Sequence, residues 1–190
     1  MSKKIVLFNG PPGCGKDTVA EGLRAVVDCR LVKFAGPIKE NCRNIYGLSV
    51  KQWAAIDGSQ EEKEKPREEF FGETCRQVQI NFSELFLKPT HGEDIFGKLA
   101  INEIKKSRAD TILISDSGFR REAEVLVEEF GNQNVLLVRL HREGKSFDGD
   151  SRNYIDLDDL EVTTYDLFND STIEDFVFNA EQILKKEGIL

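Results

Sequence analysis

The residues best equipped for chemistry lie in one short stretch, Asn9 to Thr18, which reads NGPPGCGKDT and follows the apolar run IVLF. A loop that cradles phosphate needs glycines, so that its backbone can approach the anion and turn N–H groups inward, and then a lysine where a helix begins. Gly10, Gly13, Cys14, Gly15 and Lys16 supply that pattern, and the helix expected from about Lys16 adds the positive end of its dipole. Lys16 is suited to bridge β- and γ-phosphates and to follow charge as it moves to the leaving oxygen. The next position departs from the usual loop, because Asp17 stands where a Ser or Thr hydroxyl is expected and Thr18 comes one residue late. Three roles are open to Asp17: contact with a magnesium shell through water, orientation of Lys16 or an incoming hydroxyl, or a helix cap. Thr18 is suited to give its hydroxyl to the α-phosphate. The expected ligands are therefore ATP and Mg2+.

A second carboxylate of interest is Asp116, at the end of TILISD. Open α/β sheets bind ligands at the carboxyl edge of their strands, where such a group holds magnesium through water or accepts a proton from an attacking hydroxyl. The bland alternative is a turn-forming Asp before Ser117 and Gly118. In the chemical reading those two residues shape the acceptor pocket. Arg139, Arg142, Lys145 and Arg152 cluster in a polar insertion, and Arg142 and Arg152 are the better candidates to neutralise a transferring phosphate. Arg76 offers a guanidinium for bidentate grip of an acceptor phosphate, with Lys39, Arg43 and Arg67 weaker candidates of the same kind. Arg120 and Arg121 follow Asp116 closely. His91 and His141 need no function beyond a local hydrogen bond.

These groups need a scaffold, and apolar runs alternating with helical patterns predict one: an α/β fold with a parallel sheet wrapped by helices. Strands are expected at Lys4–Asn9, Leu31–Ala35, Thr111–Asp116, Asn134–Leu140 and Glu161–Phe168. The third and fourth are nearly all apolar, as strands covered on both faces are. Helical stripes fall at Thr18–Val27 (Val19, Leu23, Val26, Val27), at Arg120–Phe130, and in a last helix where Ser171 and Glu174 have capping-box spacing. Between the second and third strands, residues 36–110 read as a mostly helical insertion, with pieces near Pro37–Tyr46, Gly72–Leu87 and Asp94–Lys106. The run EEKEKPREE, Glu61 to Glu69, interrupts it as a solvated loop or a flap on the substrate side. Residues 141–160 read as a short lid, all within one domain over 1–190.

A net charge of −8 argues against non-specific nucleic-acid binding without excluding a local basic groove. No apolar run approaches the ~20 residues that span a bilayer, and the chain enters a strand at once with no room for a signal peptide. Four cysteines lack C-x-x-C spacing, so reduced thiols in a cytoplasmic protein are expected, as a monomer or homodimer without membrane contact.

GKDT together with FAGPIK (Phe34 to Lys39) resembles the deoxynucleoside monophosphate kinases of large bacteriophages, the T-even type included. The likeness runs through the chain. EKPREEFFGETCRQVQINFSE looks like that family's substrate segment, with Arg76 at the family's arginine and Ser83-Glu84 where a Thr and an acidic residue are usual. GEDIF is similar to a Gly-x-Asp-x-Trp element, with Phe96 replacing the tryptophan. VRLHREG fits the strand entering the lid, and FNDSTIE the turn where Asn169 meets the adenine edge. The resemblance implies a P-loop kinase fold, a three-layer sandwich on a five-stranded parallel sheet. It also implies ATP-dependent transfer to a deoxynucleoside monophosphate, with Lys39, Arg76, Asp116, Ser117, Gly118 and Arg120 toward the acceptor and Asp17 and Asp116 toward metal. One departure is plain: the family has Asp-x-Arg after its third strand, and Gly118 stands at that arginine's place. Related phage kinases phosphorylate 5-hydroxymethyluracil in DNA, and DSGF and DGDSR leave that acceptor open. A nucleotide-binding module without turnover and a small-metabolite kinase complete the alternatives.

Overall fold

Apolar β-branched residues build the centre. In the computed structural model, which describes residues 3–190, Ile5, Val6, Leu7 and Phe8 are wholly buried. They form β1 (Lys4–Asn9), followed by α1 (Lys16–Arg24), β2 (Cys29–Val32), α2 (Gly36–Ile45), α3 (Val50–Asp57), α4 (Gln60–Lys63), α5 (Cys75–Phe82) and α6 (Lys88–His91). The chain continues through α7 (Ile95–Lys106), β3 (Thr111–Ser117), α8 (Arg120–Phe130), β4 (Val135–His141), β5 (Thr163–Phe168) and α9 (Ile173–Lys186). The sheet order is β2-β3-β1-β4-β5, and every pairing is parallel.

The chain divides into two compact units, one formed by the chain up to Phe34 together with Phe96–Leu190, the other by Ala35–Ile95. The first holds the sheet. One face packs Val6, Phe8, Leu113, Leu136 and Val138 against Val19 and Leu23 of α1 and Phe176, Ala180 and Leu184 of α9. The alternating residues Ile5, Leu7, Ile112 and Ile114 are buried on the opposite face, where α8 packs against β4. The result is the expected α/β sandwich. Close helix approaches depend on missing side chains: a Cβ at Gly22 would lie 2.4 Å from Val177 Cγ2, and one at Gly97 only 2.3 Å from Val125 Cγ2.

The second unit is helical, and aromatic rings fill it. Phe70 is buried, meeting Tyr46 edge-on at 5.0 Å and Trp53 at 6.4 Å. Its polar hub is Asp57, whose carboxylate accepts from Lys39 Nζ at 2.9 Å and pairs with Lys63 at 3.4 Å. Burial pushes the Cys42 thiol up to about 11, with Cys75 adding to the shift.

Several expectations need correction. The charged run is solvated but not all loop, since α4 covers Gln60–Lys63; past it Arg67 N–H donates to the Glu73 carbonyl at 3.0 Å, Gly72 N–H to the Arg67 carbonyl at 2.9 Å, and Pro66 bridges to Thr74. The expected helix from Gly72 starts only at Cys75, because Thr74 accepts from Gln77 N–H as its cap. The α9 cap is Thr172, accepting from Asp175 N–H at 3.1 Å, rather than Ser171. Val26 lies past the end of α1 and is exposed. All four cysteines are free thiols. Among the described residues no helix is long and apolar enough to cross a membrane.

Candidate active site

The loop after β1 takes its shape from glycine. Gly13 (φ 77°) and Gly15 (φ 105°) occupy the left-handed region, which side chains disfavour. Space forbids a side chain as firmly: a Cβ at Gly10 would meet the Leu140 carbonyl oxygen at 2.7 Å and Cys14 Sγ at 2.8 Å. At Gly15 it would lie 2.7 Å from Asn169 Nδ2. Asn169 Nδ2 instead donates to the Cys14 carbonyl at 2.9 Å, so the turn after β5 clasps the loop from behind. Cys14 is wholly buried beneath it, and burial pushes its thiol up against the opposing pull of Lys16.

Lys16 folds back across this loop. Its Nζ donates to the carbonyls of Gly10 at 2.5 Å and Pro11 at 2.9 Å. Burial lowers its pKa, Cys14 opposes that, and the neighbouring charge of Arg152 lowers it further. The N-cap of α1 is Gly15, which has no side chain to occupy the first-turn N–H groups, the kind of helix start that suits an anion. Thr18 is exposed on that first turn. The segment 141–160 reaches the same loop: Arg142 Nη1 donates to the Gly13 carbonyl at 3.2 Å, and Lys145 Cε lies 3.2 Å from where a Gly13 Cβ would be.

Asp17 does not cap the helix. Its Oδ1 accepts from Ser115 Oγ and from Lys33 Nζ, each at 2.7 Å. Asp116 Oδ1 accepts from the Phe34 N–H at 2.9 Å, which ties the end of β3 to the residue just beyond Lys33. Burial works against the charge of Lys33, but the Asp17 hydrogen bond and the fields of Asp17, Asp116 and Glu21 outweigh it, and its pKa rises.

Arg152 arrives from farther along the segment 141–160. Asp150 holds it by a fork, Nε to Oδ1 at 2.8 Å and Nη2 to Oδ2 at 2.6 Å, and this bond raises its pKa against the cost of burial. Its methylenes lie on Gly118, where a Cβ would fall 2.4 Å from Cδ. Gly118 is thus the space for the Arg152 chain. Asn9 secures both neighbours: its Nδ2 donates to the carbonyls of Ser117 (3.1 Å) and Asn153 (3.2 Å), and its Oδ1 accepts from Ile155 N–H at 3.0 Å. Ser117 Oγ is buried with no hydrogen-bond partner among the described residues.

The sheet unit therefore brings together Gly10, Gly13, Cys14, Gly15, Lys16, Arg142 and Asn169 at the loop, and Ser117, Gly118 and Arg152 at the end of β3. Arg120 is committed elsewhere, to Glu124, to the Asp156 carbonyl and to both oxygens of Asp159. Arg139 and His141 share Asp166. Lys39 and Arg76 belong to the helical unit, where Lys39 pairs with Asp57 and Arg76 with Glu64 and Gln60. Asn9, Lys33, Ser115 and Asp150 emerge only from the structure. The available signal was position, since each stands at or near a strand's carboxyl end or beside a candidate arginine.

The donor set fits magnesium-nucleotide in kind. Oxygen groups of Asp17, Ser115 and Asp116 gather near a lysine-bearing anion cradle, and magnesium held by substrate phosphates needs only one or two carboxylates from protein. No cluster of three or more metal-ligating side chains occurs among the described residues.

No protein-family model matches the chain, and no curated protein matches it in sequence. Solved structures similar to it include TT1252 from Thermus thermophilus, 16% identical over 98% of each chain with a TM-score of 0.49. Others are a sugar kinase from Janibacter sp. HTCC2649 (15%, 97% and 95% of the two chains, TM-score 0.44) and the shikimate kinase of Bacteroides thetaiotaomicron (14%, 97% and 80%, TM-score 0.36). Likenesses this distant carry no argument about chemistry, so the α/β assignment stands on the strand order and the loop at its centre.

Proposed function

We propose that the chain is an ATP-dependent kinase that transfers the γ-phosphate to a deoxynucleoside monophosphate, giving the diphosphate. The observation that carries this is the gathering of two cations on the glycine loop at the start of α1, Lys16 on the carbonyls of Gly10 and Pro11 and Arg142 on that of Gly13. Like charges are held near one another at a cost, which an arriving polyphosphate repays. The loop amides and Lys16 hold the β- and γ-phosphates, Thr18 serves the α-phosphate, and Asn169 meets the adenine edge while keeping the loop in shape. Arg142 and Arg152 neutralise charge on the group in flight, and the lid excludes water that would otherwise accept it. Magnesium, when bound, would supply charge neutralisation to the transferring phosphate, and Asp17 and Asp116 would hold it. Lys39 and Arg76 are the helical unit's candidates to grip an acceptor phosphate, and Ser117 is the sheet unit's candidate to shape an acceptor pocket.

Gly118 is the departure from the family pattern that leaves a base in DNA open as acceptor. With the Arg152 chain lying over it, the region after β3 keeps a guanidinium, which supports the mononucleotide reading. The test mixes protein, ATP and magnesium with each deoxynucleoside monophosphate, 5-hydroxymethyl-dUMP included, and resolves products by chromatography. A parallel tube holds hydroxymethyluracil-containing DNA and labelled ATP. Diphosphate from one or two mononucleotides, absent in Lys16→Ala, is expected; label in DNA alone overturns the proposal. Arg76→Ala is expected to raise the acceptor KM about tenfold or more with a smaller change in the KM for ATP.

A further inference from the structure

A loop of this kind ordinarily presents a neutral hydroxyl next to its lysine, and Asp17 presents a negative charge instead. Placed beside nucleotide phosphates, an uncompensated carboxylate would repel them. Two neighbours compensate it here: Ser115 Oγ from β3 and Lys33 Nζ from the residue after β2, both at 2.7 Å on the same Oδ1. Lys33 also feels the charge of Asp116, whose Oδ1 is fixed by Phe34 N–H. An ammonium bonded to a carboxylate, a hard oxygen ligand, occupies the electrostatic place of a metal cation. The pair is also loosely held, since the Asp17 side chain is 71% exposed and that of Lys33 40%. An ion pair this solvated is worth about 1 kcal/mol or less, little enough for a divalent cation to displace.

We propose that Lys33 is a tethered competitor of the divalent cation, its ammonium holding Asp17 until the metal-nucleotide arrives and releasing it when metal binds there. This rests on the reading of Asp17 as a metal-supporting carboxylate and goes beyond it in naming what the metal must displace. Ser115, a neutral donor on the same oxygen, is the hydroxyl that the loop itself lacks, and it turns its proton elsewhere when Asp17 faces the metal.

The competition is read by titrating Mn2+ into the full chain saturated with ADP and following free Mn2+ by electron paramagnetic resonance. Lys33→Met is expected to tighten Mn2+ binding about threefold to tenfold, and Lys33→Arg, which keeps the charge, to leave it near the wild-type value. In an Asp17→Asn background the Lys33→Met gain is expected to vanish, since the two residues then have nothing to compete over. Mn2+ binding unchanged or weakened in Lys33→Met overturns the competition, and so does an equal gain in the Asp17→Asn background, which marks a general field effect. If Asp17→Asn alone binds Mn2+ as the wild type does, the metal reading of Asp17 falls, and the competition falls with it. Thermal melts of each variant separate these outcomes from misfolding.

Discussion

Lys39 of the helical unit and Lys16 of the sheet unit are treated in opposite ways. In the helical unit Lys39 and Lys63 are matched to Asp57 and Arg76 to Glu64, while Arg43 donates to the Leu48 carbonyl. In the sheet unit, among the described residues, the hydrogen-bond partners of Lys16 are carbonyl oxygens and a thiol, with Asp17 near enough to attract it and Arg152 to repel it. Neutralised cations hold a small aromatic core together. A lysine on carbonyls beside a glycine loop is, on the proposed function, the one kept for an anion. The contrast separates charges that serve the fold from charges that serve a ligand, and it can be broken by substitution.

The sharpest break is Lys16→Ala. Turnover is expected to fall at least about a hundredfold while stability changes by no more than about 1 kcal/mol, because the lost group has only modest hydrogen bonds to give up. Product chromatography and thermal melts read the two quantities side by side. Gly118→Ala comes next: its Cβ displaces the Arg152 chain, so kcat is expected to drop about tenfold with little change in melting. Equal kcat in that variant would make Arg152 a surface cation. In the helical unit the balance reverses, and Asp57→Asn is expected to cost about 1–3 kcal/mol in urea unfolding, since two half-buried lysines lose their shared partner.

The smallest effect belongs to Asp166. The Arg139 hydrogen bond lowers its pKa, burial opposes, and His141 adds to the lowering. A lowered carboxyl contributes stability above its unfolded value and loses it as pH falls through the native one. Asp166→Asn is therefore expected to lie below wild type by under about 1 kcal/mol at neutral pH. The two acid-unfolding curves should begin to converge as pH drops below the ordinary value of 3.8 and merge once it has passed the lower native one.

Much of this was legible in the chain. β1 and α8 have the bounds their apolar patterns imply, and the Gly-rich spacing located the loop before any geometry was known. Lys33 was not legible, because LVKFA reads as strand through Ala35 whereas β2 stops at Val32 and leaves the lysine at the strand's mouth. α3 was missed because two helical turns are too short to establish a 3.6-residue period. Asp150 lies in a stretch with no apolar period, where only contact with Arg152 distinguishes it from other solvated acids. The capping residue of α9 was off by one, since Ser171 and Thr172 offer the same chemistry and backbone angles decide between them. What sequence conveys least is which of several like charges meets which partner, a matter of tertiary approach rather than local pattern.

Asn9 closes β1 and also grips the backbone at Asn153 and Ile155. The stretch above the loop is therefore anchored at both margins, by β4 at His141 and by Asn9 on its return. A strip fastened at one end swings; a strip fastened at both can only bow. On the proposed function, nucleotide entry is expected to bow residues 142–152 rather than swing them, with Gly144 and Gly149 as the points that yield. Arg142 and Arg152 stand at the two feet of that arch.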